Sequence, residues 1–341
     1  MATTLKKVAE LAGVSHTTVS LVINQTGGSR VNPETRARVL ETAQKLDYNP
    51  NLTAKRLVSG KTNSVGLYTP FETPIFRNYT FNETVTGIQD ILYSQGFDIV
   101  LFSGGKTLYK DRPIEQIVRQ NTVDGLIIFN SRYTSRQYIE NYIRNLNALN
   151  FRFSMIDYYW GNAPINYVGI DYEKTAYDAV HFLISLGHDC IALVAGTARA
   201  QVTARIISGY RCALDEAGIK TIPGLIEYTD YNYESAYEKT HKLLRRHPEV
   251  TAIFAGGFEM APACLKAVKE ADLKVPEDVS ILCYVDSDIM PMLEPPISAI
   301  KWPFYEMGKQ AASLLVEPGP EKQKILFGTQ LLTRGSTAPR R

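Results

Sequence analysis

The sequence predicts a small all-α head joined to an α/β body of two doubly wound parallel-sheet lobes. Three observations carry this. Three short helical patterns fill the first 47 residues, and a connector containing Pro50 and Gly60 follows over residues 48–62. Beyond it, apolar strand-like runs alternate with amphipathic helical stretches in two rounds. A length of 341 residues fits two or three domains at about 100–200 residues each. A chain of this size buries roughly three quarters of its unfolded surface and needs no disulfide or metal staple.

In the head, Leu5 to Ala12 sets Val8, Ala9 and Ala12 on one face, and Gly13 can take the left-handed conformation that ends a helix. Ser15 is a good N-cap for a second helix reaching about Asn24, with Val19 and Val22 turned inward beside Val14. Asn32-Pro33 opens the third, with Asn as cap and Pro at the first helical position. Val39, Leu40, Ala43 and Leu46 then follow at helical spacing. In the connector, Leu52 to Ser59 is too short to be a stable isolated helix.

In the body, Val65 to Tyr68 precedes a helix from Glu83 to Gln95. Phe97 to Phe102 precedes Ile114 to Gln120, and Asp124 to Phe129 precedes Ser135 to Asn147. The second round runs Tyr167 to Ile170 with Lys174 to Leu186, Cys190 to Val194 with Arg205 to Ala217, and Ala252 to Ala255 with Pro262 to Ala271. Ser280 to Tyr284 is a further strand. This reading assigns 63–162 and 294–322 to one lobe, and 163–293 and 323–341 to the other. Ligands of such sheets sit beyond the carboxyl ends of the strands.

The net charge of +2 conceals an asymmetry. Residues 1–62 hold nine cations (Lys6, Lys7, Arg30, Arg36, Arg38, Lys45, Lys55, Arg56, Lys61) against Glu10, Glu34, Glu41 and Asp47, a net of +5. The other 279 residues carry 28 basic and 31 acidic groups, a net of −3. A basic head on a slightly acidic body points to an anionic partner for the head. No window reaches the roughly 18 apolar residues of a membrane span, and no apolar run follows Lys6 and Lys7, so no secretory signal is expected. Cys190, Cys212, Cys264 and Cys283 lack metal-ligand spacing and read as reduced residues of a cytoplasmic protein. Phosphate loops, nucleophile elbows and metal-spaced histidines are absent, so neither enzyme, cofactor nor metal is expected.

Ala9 is small where the first two helices touch, Gly13 makes the turn, and Val8, Ala12, Val14, Val19 and Val22 can fill a shared core. That is a helix-turn-helix pattern; a purely structural three-helix module is the alternative, and the local +5 charge argues against it. A recognition helix brings its N-terminal residues to base edges in the major groove. His16, Thr17 and Leu21 are therefore the candidate base contacts, Leu21 through apolar contact alone. Ser15, Thr18, Ser20, Asn24 and Arg30 complete the candidate surface, the last four placed for phosphates.

Motifs along the chain extend this. Val8-Ala9-Glu10-Leu11-Ala12-Gly13-Val14-Ser15, Thr18-Val19-Ser20, Asn32-Pro33-Glu34-Thr35-Arg36 and Tyr48-Asn49-Pro50-Asn51 lie in the head and connector. Val123 to Ile127, Leu186-Gly187-His188, Val275 to Ser280 and Pro295-Pro296-Ile297 lie in the body. Together they resemble the LacI/GalR family of transcriptional repressors. The resemblance implies a periplasmic-binding-protein-like type I body, a homodimer on near-palindromic double-stranded DNA, and a small-molecule effector bound between the lobes, a sugar or sugar derivative. It implies that residues 51–59 form a hinge helix ordering on DNA, with Leu57 wedged between base pairs in the minor groove. Asn51, Ala54 and Lys55 would lie beside it. Leu21 stands where the family usually has Arg, and Gln25 to Arg30 is about two residues longer than usual, so the operator is expected to differ.

By the same resemblance, Asp157 and Asp286 match acidic ligand contacts, although Asp157 reads equally well as a strand-end cap. Val285 occupies the place of the usual hydroxyl-binding aspartate, Gly257-Phe258 stands where Asn-Asp is common, and Ile206 replaces an arginine, with Arg205 adjacent. An unpaired buried polar group costs about 1–3 kcal/mol. A cleft with three such replacements is expected to bind an effector unlike the family's simple sugars, or one held largely by aromatic stacking. Phe71, Phe76, Tyr158, Trp160, Tyr231 and Phe258 are the candidate aromatics, each also explicable as ordinary packing. The competing function, a receptor of the periplasmic-binding type, would need an export signal and no helix-turn-helix.

Overall fold

The computed structural model describes residues 4–23, 30–48, 60–69, 75–103, 114–130, 136–159 and 161–340. The chain divides into two units, Met1–Thr62 and Asn63–Arg341.

In the first unit, α1 (Leu5–Ala12), α2 (His16–Ile23) and α3 (Pro33–Lys45) surround a core of Val8, Ala9, Ala12, Val19, Val22, Val39 and Ala43. Thr4 caps α1 by accepting from the Lys7 amide, and Gly13, at φ 65° and ψ 38°, ends it. Asn32 Oδ1 caps α3, accepting from the Thr35 amide at 2.7 Å. Leu40 departs from its expected place: it is 48% exposed. One step along a helix rotates a side chain by about 100°, so with Val39 inward Leu40 faces out.

The second unit begins with β1 (Ser64–Thr69), α4 (Tyr79–Ser94), β2 (Asp98–Ser103), α5 (Ile114–Arg119) and β3 (Gly125–Phe129). It continues with α6 (Arg136–Ala148), β4 (Phe153–Ile156), β5 (Asn166–Ile170), α7 (Tyr172–Ser185), β6 (Ile191–Ala195) and α8 (Gln201–Glu216). Then come β7 (Ile226–Tyr228), α9 (Tyr233–Arg246), β8 (Ala252–Ala255), α10 (Met260–Glu270), β9 (Ser280–Cys283) and β10 (Ser298–Lys301). The last are α11 (Phe304–Val316), β11 (Lys324–Phe327) and β12 (Gln330–Leu332). Two six-stranded sheets result, ordered β11-β5-β4-β3-β1-β2 and β12-β10-β9-β8-β6-β7. Every pairing is parallel except β10 with β12. The central strands are buried on both faces, as parallel sheets require.

The expected lobe boundaries need correction. Residues 166–170 and 324–327 belong to the first sheet, because β5 pairs with β4 and β11 pairs with β5. Residues 298–301 belong to the second, because β10 pairs with β9. The chain thus crosses between lobes three times: before α7, between β10 and α11, and between β11 and β12. Four-residue apolar runs carry no mark of the sheet that takes them. Packing decides it, and α11 lies on α4 in the first lobe, where a Cβ on Gly87 or Gly308 would overlap the facing helix's backbone. The helix α4 begins earlier than expected because Asn78 Oδ1 accepts from the Phe81 amide at 3.1 Å, and this brings Tyr79 and Thr80 into the helix.

Candidate functional site

In the head, Ser15 Oγ accepts from the Thr18 amide at 3.1 Å and lies 2.8 Å from Thr18 Oγ1. Ser15 therefore starts α2 as its N-cap, and the Thr18 hydroxyl turns toward that cap. His16 and Thr17 are exposed, one turn before the half-buried Ser20 and Leu21. Leu21 packs partly against the head core, so it presents only an edge to a partner. Arg30 is exposed. Arg38 Nε donates to the Ala12 carbonyl at 3.0 Å, tying α3 to the end of α1. Asn24, Asn51, Ala54, Lys55 and Leu57 lie outside the described residues.

In the body, a narrow cleft of about 40 Å³, partly open to solvent, lies between the lobes. Its lining comes mostly from segments that follow strand ends: Tyr158 after β4, Tyr231 after β7, Gly256 to Glu259 after β8, Tyr284 and Val285 after β9. Val202 and Ile206 reach in from α8 and Thr80 from α4. The floor is aromatic, with Tyr172 and Trp302 from two of the crossovers and Phe304 beside them. The ring centroids of Tyr172 and Trp302 are 5.2 Å apart, those of Tyr284 and Trp302 5.3 Å, and those of Tyr158 and Tyr172 5.6 Å.

The polar tips of this floor are bonded within the protein. The Tyr172 hydroxyl donates to Asp157 Oδ1, the Tyr284 hydroxyl to the Tyr172 carbonyl at 2.8 Å, and Trp302 Nε1 to the Tyr284 carbonyl at 2.9 Å. Tyr231 Oη lies 2.8 Å from Thr203 Oγ1. Burial first, and Asp157 second, push the Tyr172 and Tyr284 hydroxyls well above the usual tyrosine range, so both act as neutral donors. Gly196 must lack a side chain, because a Cβ there would overlap the Tyr231 ring. At the mouth, Tyr79 from the first lobe lies edge-on to Phe258 of the second, with centroids 6.4 Å apart.

Of the sequence candidates, Tyr158, Tyr231 and Phe258 line the cleft, as do Ile206, Gly257 and Val285. Four others do not. Arg205 points away from the cleft and pairs with Glu173 at 3.1 Å, since the turn of α8 that brings Val202 and Ile206 inward carries Arg205 outward. Asp286 is held bidentately by Arg334, at 2.8 and 2.9 Å. Asp157 is buried under Tyr172 and shapes the floor from beneath. Phe76 is 69% exposed and packs edge-on against Phe81. Phe71 and Trp160 lie outside the described residues. Sequence reasoning missed Thr80, Tyr172, Glu259, Tyr284, Trp302 and Phe304. Tyr172, Tyr284, Trp302 and Phe304 lie just past a strand or at a crossover, a signal that needs the strand ends and lobe assignments first.

A model of the bacterial regulatory proteins of the lacI family matches residues 4–51, and one of the periplasmic binding protein-like domain matches residues 180–337. Catabolite control protein A of Priestia megaterium is 33% identical over 318 residues, covering 93% of this chain and 92% of its own. The chain belongs to the LacI family. This LacI-family member is a DNA-binding transcriptional regulator, and its helical head and two parallel-sheet lobes are the family's architecture. The lac repressor dimer bound to operator and the anti-inducer ONPF matches it at TM-score 0.84 and 26% identity, over 99% of this chain and 100% of that one. The complex of the regulator CelR with cellobiose matches at TM-score 0.72 and 30% identity, over 98% and 99%. Among the described residues of this LacI-family regulator, no helix is long and apolar enough to cross a membrane, and no cluster of His, Cys, Asp and Glu is placed to hold a metal.

Proposed function

We propose that this regulator is a cytoplasmic, non-enzymatic repressor that binds a near-palindromic operator as a homodimer and responds to a ring-shaped effector, a sugar or sugar derivative, stacked in the aromatic cleft. The observation that carries this is the joining, in one chain, of a basic helix-turn-helix head to an aromatic-lined cleft between two lobes. The operator-bound dimer of the lac repressor and the cellobiose complex of CelR support the two halves of the reading. One head makes too few contacts for a specific affinity, and two-fold symmetry matches paired half-sites. His16, Thr17 and the outer edge of Leu21 would read bases, Ser15, Thr18, Ser20, Asn24 and Arg30 would set the register, and residues 51–59 would enter the minor groove through Leu57.

In this mechanism the effector changes the angle between lobes, which changes the spacing of the paired hinge segments and so the fit to the operator. Family-scale coupling of about 1–3 kcal/mol would change operator affinity about 5- to 150-fold. Selection of binding sites from random duplexes, with and without a panel of sugars, tests the reading. A palindromic consensus whose affinity shifts with one class of compound is the expected result. Failure to enrich any duplex at low salt would overturn it.

A further inference from the structure

We infer that Asn130 and Tyr142 are positioning residues for the effector site, holding the turn after β4 in the shape that sets the Tyr158 ring against the cleft floor. This rests on the reading of the cleft as the effector site and goes past it, since neither residue lines the cleft. The turn is costly in itself. Asp157 and Tyr158 follow one another with φ of 63° and 47°, both left-handed. Asp visits that region with local hydrogen bonds to help. A bulky ring there is an outlier that persists only where its surroundings over-determine it.

The surroundings do this through Asp157. Its amide donates to the Val168 carbonyl of β5 at 2.9 Å, and its carboxylate accepts from the Tyr172 hydroxyl. Its carbonyl accepts from Asn130 Nδ2 at 3.0 Å. That carbonyl lies in the rigid peptide plane joining Asp157 to Tyr158, so fixing it fixes the direction in which Tyr158 leaves the strand. Asn130 is itself anchored at both ends. Its backbone amide donates to the Ile156 carbonyl at 3.1 Å, and its Oδ1 accepts from the Tyr142 hydroxyl. Tyr142 comes from α6 and packs edge-on against Tyr138, with centroids 5.5 Å apart. Asn130 and Tyr142 are 0% and 2% exposed, so losing either partner leaves a buried polar group unpaired. A chain of bonds thus runs from α6, through the residue after β3, to the peptide that aims Tyr158. Its ring lies 5.6 Å from that of Tyr172 in the cleft lining.

Two variants of the full-length protein test this. Asn130→Asp keeps the size and the acceptor for Tyr142 but loses the donor to Asp157, and Tyr142→Phe keeps the ring but loses the hydroxyl. Without ligand, Asn130→Asp should change the native near-UV circular dichroism of the aromatic floor, and that change should be missing in a Tyr158→Ala background. With ligand, calorimetry uses cellobiose, glucose and ribose. The affinity of whichever sugar binds should fall about tenfold in Asn130→Asp and less in Tyr142→Phe. Added to Tyr158→Ala, Asn130→Asp should cost no more than about twofold. A role in folding alone would lower the urea midpoint and leave the native spectrum as it was, or would cost the same affinity in both backgrounds; either result overturns the inference. If no sugar binds, the effector reading falls, and the ligand-free spectrum still decides whether Asn130 places Tyr158. If Asn130→Asp does not fold, Tyr142→Phe carries both readouts, its lost chromophore cancelling between the two backgrounds.

Discussion

Replacing Asp286 by Asn is expected to weaken the second lobe while leaving ligand affinity in the cleft nearly unchanged. Arg334 Nη1 and Nη2 donate to the two Asp286 oxygens at 2.8 and 2.9 Å, and the side chains are only 16–18% exposed. Arg334 also donates from Nη1 to the Ile297 carbonyl at 2.6 Å, and its amide donates to Ser298 Oγ at 2.8 Å. The clamp thus fixes the start of a segment whose Ser336 bonds to Ile281 and Ser298 in the sheet. Hydrogen bonds to charged groups contribute about 1.5–3 kcal/mol. Asn keeps one neutral acceptor, and the remaining exposure screens the charge, so the loss should stay in that range. That is about a 10- to 150-fold rise in the unfolding constant. Urea unfolding at pH 7, repeated in a double-mutant cycle with Arg334→Gln, measures it, and calorimetry with one cleft ligand measures affinity. A tenfold or greater loss of ligand affinity with stability intact would refute the placement and return Asp286 to the ligand.

Other perturbations separate the parts. Gly196→Ala places a Cβ where the Tyr231 ring now sits, so effector affinity should fall about tenfold or more by calorimetry, and Tyr231→Ala in the same chain should relieve the strain on folding. Ser15→Ala removes the cap of α2; the head should lose about 1 kcal/mol in thermal melting, with operator affinity reduced alike for matched and mismatched sites. His188 is buried, with Thr251 and Ser280 hydroxyls and the Ala338 carbonyl around its ring. Burial, with help from Arg340, holds its pKa below the ordinary histidine value. The neutral form is therefore favoured in the folded state; the stability it contributes is present above about 6.5 and is lost as the pH falls through that value, because the unfolded chain takes the proton first. Urea midpoints should drop between pH 7.5 and 5.5, and His188→Gln should flatten that part of the profile.

What was readable beforehand was local. Thr4, Gly13, Ser15 and Asn32-Pro33 mark helix ends through their own backbone chemistry, so the head's three helices follow from the sequence. The sheet partners of β5, β10 and β11 do not: β11 pairs with β5 more than a hundred positions away, and the short apolar runs of β5 and β10 carry no mark of the sheet that takes them. The missed α9 is mostly charged and shows only a thin apolar stripe, with Ala236, Thr240, Leu243 and Leu244 buried. In the cleft, Ile206, Gly257 and Val285 stand at wall positions. The neighbouring charges misled, because an acid or base beside a wall position can turn a third of a helical circuit away, as Arg205 does, or find a partner such as Arg334 that no local pattern announces.

The crossovers give the proposed coupling of ligand and lobe angle a physical route. Tyr172 and Trp302 belong to two of the three strands of chain that join the lobes, and the Tyr284 hydroxyl, from the second lobe, holds the Tyr172 carbonyl. A ligand resting on these rings touches the pivot itself. At the rim, Tyr79 of the first lobe meets Phe258 of the second edge-on. If the lobes hinge at these crossovers, the floor should change little while the rim contact of Tyr79 with Phe258 is made or lost. A ligand shifts the equilibrium only by its differential affinity for the two states, so rim-reaching groups, rather than the stacked ring, should set the size of the response. Burial, together with Asp288, Glu83 and Asp286, pushes the Tyr79 hydroxyl up to about 12. It keeps its proton across the physiological range, so titration of Tyr79 cannot make the rim contact pH-dependent there, and the fall in stability toward pH 5.5 should trace to His188 instead.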